Sequence, residues 1–180
     1  MALPFLQGAQ RILDIGTHDG TLFEYLSKAN RGNPSVTVTG VGIDPKLVPG
    51  KQLPGISLIE GFFPEALAEA PVDNPSFNAI AMLAVLEHIP REQQQKLAVD
   101  CHDCLETGGR VIITTPSPLV DKILDVLFFL KIVDAMGETH DEHYGFEPSE
   151  TIGLFESKGF RLIHQSRFEL GLNHLYVFEK

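Results

Sequence analysis

The chain has 180 residues, 43% hydrophobic and 21% charged, a profile that excludes disorder and suits one globular domain rather than two joined by a linker. Twenty-four acids against 14 bases give a formal net charge of -10 with no basic cluster, which argues against nucleic acid as a partner because an extended phosphate backbone would be repelled. No apolar run approaches the ~20 residues that span a bilayer, and residues 1–10 lack the charged and apolar regions of a signal peptide, so no membrane span and a cytoplasmic location are expected.

Strands and helices alternate along the chain. Apolar runs at residues 11–16, 36–44, 56–62, 77–83 and 109–115 read as strands, and their continuous apolar character suits a sheet covered on both faces. Helical segments at 20–29, 64–70, 91–106 and 118–136 lie between and after them, so the expected fold is α/β, a doubly wound and mostly parallel Rossmann-like sheet with right-handed crossovers. A helix at 148–157 is followed by strands at 160–170 and 175–179, whose short connection at 171–174 requires an antiparallel hairpin. Cys101 and Cys104 form a lone Cys-x-x-Cys within a helical segment, where buried apolar roles are expected for both.

Residues 11–20, Arg-Ile-Leu-Asp-Ile-Gly-Thr-His-Asp-Gly, are the most informative stretch. A strand ends on Asp14, and Gly16 and Gly20 then flank a turn where the backbone can approach a ligand closely. The second strand ends on Asp44, and an acid ~20–25 residues past a glycine turn is well placed to grip ribose hydroxyls. A nicotinamide site would instead read Gly-x-Gly-x-x-Gly, without the acid inside the motif. In an open parallel sheet such a ligand lies beyond the carboxyl ends of the strands.

The order Asp14-x-Gly16-x-His18-x-Gly20 resembles motif I of the class I S-adenosylmethionine-dependent methyltransferases. Nearly the whole chain shares the likeness: Gly42-Ile43-Asp44 resembles the ribose segment, residues 77–90 the fourth-strand motif with its Leu-Glu-His ending, Gly108-Gly109-Arg110 the opening of the fifth strand, and the final hairpin the family's ending. The resemblance implies an enzyme with S-adenosyl-L-methionine as cofactor and a seven-stranded-type sheet. It implies that Gly16 and Gly20 pass beneath the methionine part, that Asp14 lies near its amino group, and that Asp44 accepts hydrogen bonds from both ribose hydroxyls. Thr17 and His18 are then expected to contact the cofactor through their backbone amides, Gly61 and Phe62 to give the adenine an amide and an aromatic wall, and Leu83 and Ala84 to line the methionine side. The chain departs from the family at His18, where glycine is common, and at Glu60-Gly61-Phe62-Phe63, where an acid often stands beside the adenine.

Methyl transfer from a sulfonium is an in-line displacement, so much of the catalysis is positioning, and a base is needed only where the nucleophile carries a proton. The first strand begins about ten residues into the chain, leaving residues 116–148 as a lid-like insertion within a single domain spanning 1–180. Its helix at 118–136 is broadly apolar, which fits buried core, with a lid over an apolar substrate, a homodimer surface or a membrane-surface contact as alternatives. The stretch Gly137-Glu138-Thr139-His140-Asp141-Glu142-His143-Tyr144 concentrates titratable groups, and His143 is the first choice for a general base, with His140 and Tyr144 behind it. A metal site from His140, Asp141, Glu142 and His143 is disfavoured because adjacent residues rarely converge on one ion. His88 is expected to support the loop after the fourth strand, and His164 and His174 to have surface or packing roles. The expected acceptor is a small molecule, a sugar or a carrier-linked intermediate. A non-catalytic interaction module is the alternative, and a nicotinamide-dependent oxidoreductase a weaker one.

Overall fold

The computed structural model describes residues 1–30, 38–70, 76–117 and 148–180. The predicted helix at 118–136 and the titratable stretch after it lie outside the described residues. A short helix α1 (Leu3–Leu6) precedes β1 (Arg11–Ile15), α2 (Thr21–Ala29), β2 (Thr39–Asp44), β3 (Ile56–Glu60), a 3₁₀ turn at Glu65–Glu69 and β4 (Phe77–Leu83). After these come a 3₁₀ turn at Leu86–His88, α3 (Arg91–Cys104), β5 (Leu105–Pro116), a helix here called α4 (Glu150–Glu156), β6 (Arg161–Phe168), a 3₁₀ turn at Glu169–Gly171 and β7 (Asn173–Glu179).

The seven strands form one sheet in the order β3-β2-β1-β4-β5-β7-β6. Strands β1 to β5 pair in parallel, and β7 runs antiparallel to both β5 and β6. This is the expected α/β fold, and β6 with β7 forms the expected hairpin, whose second strand inserts between β5 and the first. The strand order reverses between β1 and β4, so β1, β2 and β4 all deliver their carboxyl ends to one crevice.

Both faces of the sheet are buried, as the continuous apolar strands require. On one face Leu13, Ile80, Met82, Val111, Ile113, Tyr176 and Phe178 pack against Leu97, Ala98 and Cys101 of α3 and Phe155 of α4. On the other, Ile12, Ala79, Ala81, Ile112, Leu175 and Val177 pack against Leu6 of α1 and Phe23 and Leu26 of α2. Full burial of each Leu, Ile, Val, Met or Phe side chain among them contributes about 1.5–3 kcal/mol. Both cysteines are free thiols; Cys101 is buried as expected, whereas Cys104 is only half-buried.

Local chemistry fixes the element ends. Asp19 Oδ1 accepts the Thr21 N–H at 3.0 Å, satisfying one of the orphan amides at the start of α2. Lys180 Nζ donates to the carbonyls of His102 and Leu105, each at 2.7 Å, placing a cation where the α3 dipole is negative. Helix α3 therefore stops at Cys104, two residues before the sequence expectation. Strand β5 begins at Leu105 rather than 109, with a register shift between Phe77 and Ala79 on β4 that accommodates residues 106–109.

Candidate functional site

The turn between β1 and α2 is left-handed at three points: Gly16 (φ +77°), His18 (φ +55°) and Gly20 (φ +78°). For a non-glycine residue this conformation costs about 1–2 kcal/mol, and at His18 it is held by the Asp44 carboxylate, whose Oδ2 accepts the His18 N–H at 2.9 Å. The N–H groups of Gly16 and Thr17 donate to the Ile43 carbonyl at 2.8 and 3.3 Å. The turn is thus bound to the end of β2 by the protein's own hydrogen bonds. It also touches the loop after β4, since a Cβ on Gly16 would lie 2.3 Å from Val85 Cγ2. Gly42 leaves similar room, because a Cβ there would sit 2.6 Å from Thr17 Oγ1.

The amides of Thr17 and His18, expected from the sequence to face a cofactor, donate here to Ile43 and Asp44 and so shape the turn.

Asp44 remains able to bind. Its Oδ1 accepts the Lys46 N–H at 2.7 Å and its Oδ2 the His18 N–H, which leaves two of a carboxylate's roughly four lone-pair positions open on a half-buried side chain. Asp14, by contrast, is 3% exposed. Burial pushes its carboxyl up to about 7, the Thr17 hydroxyl partly opposes this and the Asp44 charge adds to it. The Thr17 hydroxyl nevertheless has no partner at full hydrogen-bond geometry. Such a carboxyl ionises readily only if a cation comes near. Asp19 titrates below the usual carboxylate range because Thr21 donates to it through both its hydroxyl and its amide.

The rim is built from three further loops. After β2, Val48 N–H donates to the His18 carbonyl at 3.0 Å, and Gly50 lies so close to the Asp19 carbonyl that a Cβ would collide with it. After β3, the Gly61 N–H donates to the Asp44 carbonyl at 3.1 Å, tying this loop to the end of β2. The Phe62 side, 72% exposed, is open as an apolar wall. After β4, the half-buried Leu83 leads to exposed Ala84, which sits at φ +56°, its N–H donating to Thr114 O at 3.0 Å and Thr114 Oγ1 at 3.1 Å.

Asp14, Gly16, Thr17, His18, Gly20, Asp44, Gly61, Phe62, Leu83 and Ala84 therefore share one edge of the sheet. His140, His143 and Tyr144 lie outside the described residues. His88 is exposed in the turn after β4, and that turn is held by Gln94, whose Nε2 donates to the carbonyls of Leu86 at 3.2 Å and Ile89 at 2.8 Å. Sequence reasoning missed Gln94, Val85 and Thr114, which carry no local signal because their roles arise between elements. It also gave His174 a surface or packing role. The alternation along 173–178 places His174 with Tyr176 and Phe178 on one face, a readable sign that its ring turns inward. No group of three or more metal-ligating side chains occurs among the described residues.

Comparisons with known proteins agree with this architecture. Residues 2–165 match the family model described as "Methyltransferase domain". A ubiquinone biosynthesis O-methyltransferase of Alkalilimnicola ehrlichii is 30% identical over 148 residues, covering 78% of this chain and 56% of that protein. A second protein of that name, from Colwellia psychrerythraea, is 24% identical over 159 residues, covering 87% and 63%. The chain thus spans about half to two thirds of the length of these curated relatives. Among solved structures, a SAM dependent methyltransferase from Archaeoglobus fulgidus superposes with a TM-score of 0.68 at 15% identity, covering 99% of this chain and 89% of that one. Human N-acetylserotonin methyltransferase does so at 0.63 and 17%, covering 97% and 48%. The strand order, the acid-bearing glycine turn and the match over residues 2–165 place this chain in the family of class I S-adenosylmethionine-dependent methyltransferases.

Proposed function

We propose that this chain binds S-adenosyl-L-methionine across the carboxyl ends of β2, β1 and β4 and transfers its methyl group to a hydroxyl of a small-molecule acceptor. The observation that supports it most is the left-handed turn at Gly16–Gly20 held against a half-open Asp44 carboxylate. The residues present fit the cofactor: Asp44 keeps lone pairs for the two ribose hydroxyls, Phe62 offers a face to the adenine, and Asp14 is a buried acid whose ionisation calls for a cation such as the methionine ammonium. When bound, the sulfonium supplies an electrophilic methyl group. The chain's part is to fix the ribose through Asp44, hold the methionine end between the turn and Ala84, and keep the acceptor oxygen in line.

The hydroxyl acceptor follows the names of the curated relatives, O-methyltransferases in ubiquinone biosynthesis. His143, with His140 and Tyr144, is the sequence's choice for removing the acceptor's proton. Free cysteine thiols suit a reducing, cytoplasmic compartment, and no helix among the described residues is long and apolar enough to cross a membrane.

Titration calorimetry with S-adenosylmethionine tests the reading. The wild-type chain should bind, and Asp44→Ala should weaken binding by about 2–3 kcal/mol, roughly 30- to 150-fold, since charge-assisted hydrogen bonds to a buried ligand are lost. Equal affinity in the two proteins would remove Asp44 from the site, and no binding to folded wild type would remove the function.

A further inference from the structure

The edge that carries the cofactor residues continues past β4. From Asp44 on β2 it passes Gly16 after β1 and Ala84 after β4, then reaches Thr115 on β5 and His174 on β7. Because β7 runs antiparallel, its first residues lie at the carboxyl ends of the others, and Thr115 is paired directly with His174. Neighbouring strands are ~4.8 Å apart, so His174 stands two strand spacings, ~10 Å, beyond the strand that leads to Ala84.

His174 is held in one protonation pattern. The Tyr176 hydroxyl donates its proton to the Pro148 carbonyl at 2.9 Å, so its oxygen accepts from His174 Nδ1 at 3.3 Å. This network assigns the ring proton to Nδ1 and leaves Nε2 as a basic acceptor. Nε2 makes no hydrogen bond within the described structure. The two rings are stacked, 6.0 Å apart at 6°, and the residue is 8% exposed, so the imidazole is fixed in position. Burial, followed by the charge of Arg167 opposite it on β6, pushes its pKa down and keeps it neutral. Two buried hydroxyls without partners, Thr115 Oγ1 and Thr151 Oγ1, border the same corner, as expected where a polar ligand group completes the bonding.

We propose that His174 is the general base for a phenolic acceptor, an inference that rests on the methyltransferase reading above. The acceptor's hydroxyl donates to Nε2. As the oxygen's electron pair bonds to the methyl carbon, the O–H bond breaks and its proton passes to Nε2, while the pair of the carbon–sulfur bond stays on sulfur. The imidazolium is steadied by Nδ1–H···O Tyr176 and releases its proton to solvent with the product. Any neutral imidazole takes the proton of a phenol, whose pKa is near 10, far more readily than that of an aliphatic alcohol. The other charged groups on the elements around the corner are already engaged: Glu169 accepts from Asn173 at 2.5 Å and Glu150 pairs with Arg91 at 2.5 Å.

The test uses the full chain labelled with ¹⁵N-histidine, saturating S-adenosylmethionine, and catechol as the probe. Catechol should shift the His174 Nε2 resonance, and its methylation should rise with pH on a limb matching the His174 titration, below the pKa of a free histidine. His174→Gln should lower kcat about 10²- to 10⁴-fold and abolish the limb, while leaving cofactor affinity within about twofold by calorimetry. Tyr176→Phe should move the limb. The proposal is overturned if His174→Gln keeps both rate and limb, if the limb disappears in His143→Ala instead, or if a wild type that binds the cofactor neither methylates catechol nor shifts His174. Wild type that fails to bind S-adenosylmethionine would instead overturn the underlying reading.

Discussion

At the scale of single residues the site is a set of acids held in different states. Asp14 keeps its proton up to about pH 7 when folded, whereas an unfolded aspartate releases it near 4. The folded state therefore binds more protons between those values, and stability falls as pH rises from about 4 to 7, by as much as ~4 kcal/mol. Asp14→Asn should remove that loss. Its urea midpoint should be higher than wild type at pH 8 and similar at pH 4, while its affinity for S-adenosylmethionine falls; an unchanged pH dependence in the variant would show that Asp14 is not the group responsible. Gly16 shows a second kind of constraint. Gly16→Ala combines a left-handed residue with a Cβ 2.3 Å from Val85 Cγ2, and should destabilise by about 1–3 kcal/mol. Adding Val85→Ala should relieve the collision but not the backbone cost, so the double variant should be less destabilised than the sum of the two single ones. Asp14, Gly16 and Asp44 were legible in the sequence because each ends or follows an apolar run. Val85 was not, because nothing near it in the chain says that it faces Gly16.

At the scale of elements, the ends of helices and strands depend on partners far along the chain. Lys180 closes α3 across 78 residues by bonding His102 O, and Lys180→Met should lower stability by about 1–2 kcal/mol. A reduced urea midpoint with an unchanged slope would confirm it. The hairpin shows the same dependence. Its turn was readable from residues 171–174, yet the closure occurs earlier, at Glu169–Gly171, with Glu169 and Leu170 at φ +50° and +58°. Those two residues are not turn formers. Leu172 O accepts the Ser117 N–H at 2.7 Å, which ties the turn to the end of β5. The same bond brings the start of β7, and with it His174, to the edge where the acceptor is proposed to sit.

At the scale of the whole molecule, one sheet aligns the two ends of the proposed reaction. The reversal between β1 and β4 opens the cofactor crevice, and the insertion of β7 between β5 and β6 carries a histidine from the chain's terminus to the same edge. Ligand binding should therefore be felt by the entire fold: S-adenosylmethionine at 100 times its Kd should raise unfolding stability by about 2.7 kcal/mol in wild type, and much less at that same concentration in Asp44→Ala, as thermal unfolding would report. The amino-acid sequence by itself determined the alternation of strands and helices, the parallel sheet with its terminal hairpin, and the acid-bearing glycine turn with its partner Asp44. These are written in local periodicity and in glycine's freedom at positive φ, which need no distant contact. Only the tertiary structure decided that the amides of Thr17, His18 and Gly61 donate to partners within the fold, that Gln94 bonds two carbonyls of the turn after β4, and that the His174 ring is buried and stacked on Tyr176. Those roles come from hydrogen bonds and packing between segments tens of residues apart, and such pairings exist only once the sheet has chosen its strand order.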